Sequence, residues 1–299
     1  MNAILKAGVI GAGVFGGYHA AKWAGLAGIE LTAVFDTDAE RAEAIAKSHG
    51  ARAVTDGADF LSEVDIVSIA SPAISHAEWA LAALRAGKPI YVEKPLAVSL
   101  DDAEAIVREA KRRSLVAACG FIERIALRAI GLGDAPEAPV RFEAVRRGRP
   151  SPRNRDVTVI LDLMIHDLDL ALMLGRGEPY AVEAEGSADE ARTEINFDDG
   201  LVAIVEASRA AAVPERRLRI AYPSGEVDID LLQGAVRSNA AFPVREDFAA
   251  LPEVRDRLGA SIEGFLAAVR GEPDRLIASA ADGARAVDLA LAVELALAE

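Results

Sequence analysis

One of the chain's four histidines, His166, stands where acid-base work could be done. It lies in VTVILDLMIHDLDLALML, a long apolar helix-like run broken by polar groups at 162, 166, 167 and 169. Asp162 and His166 are four residues apart and share one helix face. There the carboxylate can fix the imidazole tautomer and raise its basicity, which suits a base working near neutral pH. The same spacing also suits a core histidine satisfied by a helix neighbour, so periodicity leaves both readings open. Asp167 and Asp169 read as structural, capping or pairing on the helix. A second reactive candidate is Lys94, in PIYVEKP. A Glu93-Lys94 pair leaving a buried parallel strand is costly unless it meets ligand or partner charges. The Lys94-Pro95 bond is a candidate for the cis form, since X-Pro bonds carry a small cis penalty.

A third constellation binds rather than reacts. Gly11, Gly13 and Gly16, with Val14 and Phe15 among them, follow a short apolar strand in Gly-x-Gly-x-x-Gly spacing and open a helix. The first glycine permits the tight turn, the second the approach of a pyrophosphate, the third close packing of helix on strand. The helix amides and dipole then face the anion. Asp36 ends the next apolar run, 20 residues beyond Gly16, where a carboxylate accepts from the adenosine ribose hydroxyls. It would repel a 2′-phosphate, and Thr37 and Asp38 beside it offer no cation. NAD is therefore expected in preference to NADP. Ser71-Pro72 falls at the carboxyl end of the fourth strand, on the ligand edge of an open α/β sheet. His76 could approach the cofactor from the next helix, or be a helix-start histidine with no such role.

The fourth feature is charge. Between Arg141 and Arg155 there are six arginines, no lysine and one acid, in a chain of net charge -14. An arginine fork suits phosphate oxygens, so Arg147, Arg153 and Arg155 could hold a diphosphate upstream of the His166 segment. A solvated loop pairing with surface acids is the alternative. Arg124, just after the sixth strand, is a candidate substrate contact by position alone.

These residues need a scaffold. To about residue 122, β-rich runs at Ala7–Ile10, Leu31–Phe35, Ala53–Val54, Ile66–Ala70, Ile90–Val92 and Leu115–Ala118 alternate with amphipathic segments. The helices are expected at Val14–Leu26, Ala39–Ser48, Ser75–Arg85 and Leu100–Arg113, with Asp38, Ser75 and Ser99 as N-caps and Gly50 and Gly87 as stops. That is a doubly wound, Rossmann-type parallel sheet. Beyond it strands follow one another (VRFEAV, YAVEAEGSA, ARTEINF, LVAIVEAS, RLRIAY, EVDIDLL), with hairpin turns at Asp199-Gly200 and Ser224-Gly225. The fold class is α/β: a parallel-sheet domain over 1–122, then an α+β domain over 123–299 with an open, mainly antiparallel sheet. LVAIVEA is apolar on both faces, so a second subunit is expected on that sheet, as a homodimer or homotetramer. Two Ala-rich helices, about Arg255–Val269 and Ala280–Ala298, are expected to pack on the second domain.

GAGVFG, then SP with AISH, then AGKPIYVEKPLA together resemble the Gfo/Idh/MocA family of NAD(P)-dependent oxidoreductases. The resemblance implies that Lys94 contacts both the nicotinamide ribose and the substrate hydroxyl. It also implies that Asp162-Leu-Met-Ile-His166 matches the Asp-x-x-x-His of inositol-type dehydrogenases, with His166 as general acid/base and Asp162 orienting it. The basic, proline-bearing loop is similar to that of members oxidising the 3-hydroxyl of UDP-N-acetylglucosamine. A nucleotide sugar is therefore the expected substrate, with a cyclitol or free sugar as alternative. The family also holds dinucleotide-binding regulators without turnover, against which retention of Lys94, Asp162 and His166 argues. Imine reduction and NAD-assisted hydrolysis stay open.

Composition narrows the rest. The acidic balance argues against nucleic acid or anionic membrane as partners. Strand one begins almost at the N-terminus, so no signal peptide is expected. A single cysteine, Cys119, allows no intramolecular disulfide and no cysteine-built metal site, which points to the cytoplasm. No metal is expected.

Overall fold

The computed structural model describes residues 4–151, 156–272 and 277–298. The chain divides into two compact units, residues 1–120 with 258–284 and residues 121–257 with 285–299.

The first unit begins with β1 (Leu5–Ile10), α1 (Val14–Gly25), β2 (Ile29–Phe35), α2 (Ala39–His49), β3 (Arg52–Val54), α3 (Gly57–Glu63) and β4 (Ile66–Ile69). It continues with α4 (His76–Arg85), β5 (Ile90–Val92), α5 (Leu100–Arg113) and β6 (Ala117–Cys119). The strands lie in the order β6-β5-β4-β1-β2-β3, all parallel, and reverse direction of winding between β1 and β4. That reversal is where a doubly wound sheet binds ligands. Local chemistry sets the helix starts: the Asp38 carboxylate accepts from the amides of Glu40 (3.0 Å) and Arg41 (3.1 Å), and Ser99 Oγ accepts from the Asp102 amide (3.2 Å). Gly50 ends α2 in the left-handed region at φ 71°. Ser75 is not such a cap; its hydroxyl donates to the Pro72 carbonyl at 2.8 Å, closing a 3₁₀ turn over Ala73–Ser75 ahead of α4. The short helix α3, capped by Asp56, was not expected from the sequence.

The second unit holds α6 (Glu123–Ile130), β7 (Arg141–Arg147), a π-helical turn over Ile160–Met164, α7 (Ile165–Leu174) and β8 (Pro179–Gly186). Then come β9 (Glu190–Phe197), β10 (Val202–Ser208), β11 (Glu215–Tyr222), β12 (Gly225–Asp230), β13 (Ala235–Ser238) and α8 (Pro252–Arg255). The sheet order is β13-β12-β11-β7-β10-β9-β8, antiparallel except for the parallel pair β7 and β10. One face is core: Phe142, Ala144, Ala203, Val205, Leu218 and Ile220 are buried. The alternate positions on β11 and β12, such as Arg217, Arg219 and Asp228, are exposed, as period-two alternation requires.

The C-terminal segment departs from expectation. It was expected to pack wholly on the second domain, but α9 (Arg257–Val269) belongs from Leu258 onward to the first unit, with β14 (Ala278–Ser279) and the start of α10 (Ala280–Ala298). The reason is aromatic burial and strand pairing. Phe265 packs its ring 6.2 Å from Trp23 and 5.9 Å from Tyr91, Ser261 Oγ lies 2.9 Å from the Tyr91 hydroxyl, and β14 pairs antiparallel with β6.

Candidate active site

The glycine turn is built to receive an anion. Gly11 has φ 97°, and a Cβ there would meet the Ser71 amide nitrogen at 2.6 Å, so only glycine fits between β1 and the end of β4. A Cβ on Gly16 would drive into the Gly11 carbonyl. Above Gly13 nothing lies within 4 Å, and α1 starts there with no side-chain cap and no acid in its first turn. Open space over uncapped helix amides fits a pyrophosphate. Val14 and Phe15 are exposed on this first turn.

Asp36 is fixed by two backbone donors, the amide of Ala12 at 2.7 Å and that of Asp38 at 2.9 Å. Thr37 follows it in the turn to α2. The expectation that no cation stands nearby needs correction: Arg41, one helix turn on, places Nη2 3.5 Å from Asp36 and Nε 3.0 Å from Asp38. The i, i+3 geometry of a capped helix brings it back toward the ribose carboxylate, a placement that reading immediate neighbours misses.

Two buried histidines hold the residues on either side of Lys94. His19, on α1, sets Nε2 3.0 Å from Glu93 Oε1. The Glu93 carboxylate lies so close to Gly120 that a Cβ there would sit 3.1 Å from it. On the other side His76 has Nδ1 2.7 Å from the Pro95 carbonyl and Nε2 2.9 Å from the Ser71 carbonyl. His76 thus ties the loop after β4 to the loop after β5, rather than reaching out as the sequence allowed. Burial pushes its pKa down, with the two carbonyls opposing. The Lys94-Pro95 bond is cis. Ser71 Oγ and Ser75 Oγ are 2.8 Å apart beside Pro72.

In the second unit the π-turn delivers Asp162, buried, and runs directly into α7, whose first turn carries His166, half-buried with its ring 6.2 Å from Phe121. Wide π-turns recur at functional sites because they re-aim side chains along an otherwise regular helix. The next acids are held from outside the helix. Asp167 accepts a fork from Arg146 at 2.7 and 2.9 Å, and Asp169 one from Arg124 at 2.8 and 2.6 Å. These pairs are buried, and they lock the rotation of α7.

Arg124 is therefore engaged with Asp169 in the interior, where the sequence suggested a substrate contact. Arg147 alternates to the opposite face of β7 from Arg146; it is 45 % exposed and bonds Glu215 at 3.0 Å and Glu206 at 3.2 Å. That is the surface pairing offered above as the alternative. Arg153 and Arg155 lie outside the described residues. Glu123, unnoticed in the sequence, accepts from Arg146 (3.3 Å), Arg216 (3.1 Å) and Arg257. Burial alone would raise its pKa, but the three guanidinium charges outweigh that and lower it. The available signal was the pair of aspartates in an apolar run, which must find cations when buried. Among the described residues no group of three or more His, Cys, Asp or Glu could hold a metal, and no helix is long and apolar enough to cross a membrane.

Comparison with known proteins agrees with this architecture. Residues 5–121 match the model of an oxidoreductase family with an NAD-binding Rossmann fold, and residues 131–227 match the Gfo/Idh/MocA C-terminal domain. The chain is 38% identical over 284 residues to UDP-N-acetylglucosamine 3-dehydrogenase of Acidithiobacillus ferrooxidans, covering 89% of this chain and 88% of that one. A solved structure of that enzyme superposes with TM-score 0.86 at 35% identity, over 99% of this chain and 98% of that one. The scyllo-inositol 2-dehydrogenase (NAD(+)) of Bacillus subtilis is 30% identical over 71% of this chain and 69% of that protein. A protein of gentamicin A biosynthesis, solved with NAD, shares the fold at TM-score 0.85 and 23% identity, over 100% and 95% of the two chains. The chain belongs to the Gfo/Idh/MocA family of oxidoreductases and is built to use NAD.

Proposed function

We propose that the chain oxidises a secondary hydroxyl of a UDP-linked N-acetylhexosamine, the 3-hydroxyl of UDP-N-acetylglucosamine first. The end-to-end likeness to UDP-N-acetylglucosamine 3-dehydrogenase carries this substrate. Bound NAD supplies the hydride acceptor. Gly11, Gly13 and Gly16 with the Val14 and Phe15 amides hold its pyrophosphate, Asp36 and Thr37 its adenosine ribose, and Ser71, Pro72 and Glu93 line the edge leading to Lys94. The Lys94 ammonium polarises the reacting oxygen. His166 removes the hydroxyl proton, and Asp162 orients the imidazole. Arg153 and Arg155 bind the diphosphate. His76 positions the two loops it bridges.

The test is NADH formation, followed by near-ultraviolet absorbance, with UDP-N-acetylglucosamine, myo-inositol, scyllo-inositol and glucose. Turnover of the nucleotide sugar supports the proposal. Turnover of an inositol alone moves the assignment to the cyclitol reading, which the 30% identity to scyllo-inositol 2-dehydrogenase favours next. A tight NAD complex inert with every one would make it a regulator.

The second-unit sheet serves as the contact between copies of a cytoplasmic homodimer or homotetramer. Val145, Val202 and Ile204 on its outward face are half-buried among ion pairs, and the single cysteine, Cys119, is buried in the first unit. Light scattering of the eluted protein checks the assembly, and Ile204→Lys should shift it toward monomer.

A further inference from the structure

The wide turn that delivers Asp162 has to be held open. The Ile165 amide donates to the carbonyl of Ile160, five residues back, where a regular helix would bond four back. The extra residue in that ring changes the direction in which Asp162 leaves the helix. Such turns are rare, so one that persists needs tertiary contacts at its ends. Here the three residues at its start are fastened to three other parts of the second unit. The Val157 carbonyl accepts from Arg209 Nη1 at 2.9 Å, just beyond β10, and Arg209 Nε in turn donates to Asp189. The Val159 amide donates to the Ala188 carbonyl, in the turn between β8 and β9, at 2.8 Å. Thr158, between them, is tied to the π-turn itself. Its carbonyl accepts from the Asp162 amide at 3.0 Å, and its hydroxyl accepts from the Leu161 amide at 3.3 Å. The same hydroxyl donates to the Glu294 carboxylate of α10.

Glu294 is out of place in its own helix. It is the one polar residue of LALAVELALA, Leu289 to Ala298, and it is half-buried. A carboxylate there is costly to desolvate, whereas leucine would suit both the helix and its packing. What the acid can do and leucine cannot is accept a hydrogen bond. With the hydroxyl hydrogen of Thr158 committed to Glu294, the oxygen keeps its lone pairs for the Leu161 amide. The negative charge also stands at the amide end of the segment that runs into α7, where a helix favours an acid.

We propose that Glu294 is a positioning residue for the oxidation: acting through Thr158, it holds the π-turn in the form that sets Asp162 in register with His166. The inference rests on the roles given above to Asp162 and His166. Two hydrogen bonds, both made by Thr158, separate the Glu294 carboxylate from the Asp162 amide. Losing the first frees the start of the turn from α10 and lets it relax toward regular helix, which re-aims Asp162. A shift of about 1 Å in a group that orients the base is enough to cost ~10²-fold in rate.

The experiment compares wild type with Glu294→Leu, Glu294→Gln, Thr158→Val, Asp162→Asn and the double variant Asp162→Asn/Glu294→Leu. The control is Arg285→Ala, on the same helix, whose partner is the exposed Glu178. Thermal melts establish folding, and Glu294→Leu should melt no lower than wild type. Kinetics use the sugar or cyclitol that wild type turns over, at saturating NAD. Glu294→Leu and Thr158→Val should lower kcat by roughly 10- to 100-fold with KM changed far less. Glu294→Gln, which still accepts from Thr158, should keep most of the activity, and the control all of it. Added to Asp162→Asn, Glu294→Leu should cause no further loss, because it acts through that aspartate. Full activity in Glu294→Leu beside an impaired Asp162→Asn overturns the proposal and leaves the Asp162 assignment standing. Wild-type turnover by Asp162→Asn removes Asp162 from the reaction and overturns the proposal with it. Hydrogen exchange over residues 157–166 needs no substrate, so it decides even for a chain inert with the whole panel. Faster exchange there in Glu294→Leu is the expected result, and exchange equal to wild type overturns the proposal.

Discussion

His19, one turn into the helix after the glycine turn, meets Glu93 side chain to side chain in the interior, Nε2 3.0 Å from Oε1. The contact joins the helix that faces the pyrophosphate to the residue immediately before Lys94. Glu93 has few other options: its side chain is 12 % exposed and lies against Gly120. His19→Ala would leave a nearly buried carboxylate without its donor, a loss of about 2 kcal/mol. We expect the melting midpoint to fall by about 4–8 °C, and the separate variant Glu93→Gln, which keeps a hydrogen bond to the His19 imidazole, to lose less. Thermal melts of the two variants check this.

His76 gives the first unit a pH dependence. Burial lowers its folded pKa below the ordinary value of 6.5. Between those two values the unfolded chain binds more protons than the folded one. The contribution of a neutral buried His76 is thus complete above 6.5 and is lost as pH falls toward the folded pKa. Melting midpoints of wild type should fall between neutral pH and about pH 5, and His76→Asn should flatten that part of the curve. An identical acid slope in the variant would remove His76 as its source.

Much of this was legible because it is periodic or local. Gly11, Gly13, Gly16 and Asp36 are set by spacing along a strand-turn-helix, and the hairpins at Asp199-Gly200 and Ser224-Gly225 by turn chemistry. The second-unit sheet follows the same logic, with β7 to β12 each falling on a β-rich run of the sequence. What the sequence hid is what long range decides. Glu123 meets Arg257 across 134 residues, and His19 meets Glu93 across 74. No window of sequence contains both members of either pair. The arginine-rich run misleads for a related reason: strand alternation sends Arg146 inward to Asp167 and Arg147 outward to Glu206, so neighbours of identical type have unrelated fates. Helix α9 reads equally well as part of either unit until Phe265 is seen against Trp23 and Tyr91.

Cofactor preference should turn on two side chains together. Wild type should favour NAD over NADP, because the Asp36 carboxylate repels a 2′-phosphate. Asp36→Ala removes that charge and releases Arg41 from one of its two acids. NADP efficiency should then rise by about tenfold, the value of one favourable phosphate contact. Arg41→Ala on top of Asp36→Ala should take most of that gain away. Equal efficiency with both cofactors in wild type, or a double variant as good with NADP as Asp36→Ala, would refute the arrangement.

His166 and Asp167 are adjacent in sequence and should fail in different ways. His166 is half-buried in the first turn of α7, and the proposed role needs a group that exchanges a proton. His166→Asn keeps a polar side chain of similar size and cannot act as a base, so kcat/KM should fall by at least ~10²-fold while the melting midpoint and NAD affinity hold. Asp167 is buried and receives the Arg146 fork, whose guanidinium pKa it raises against the opposing effect of burial. Asp167→Ala takes away both bonds of that fork and leaves the buried guanidinium only its 3.3 Å contact with Glu123, and breaking one member of a buried pair costs about 3–5 kcal/mol. Its midpoint should therefore drop by about 6 °C or more, with activity lost in proportion to unfolded protein rather than through chemistry. Melting and kinetics measured on the same preparations separate the two. A His166→Asn variant that keeps more than about a tenth of wild-type turnover would remove the histidine from the reaction.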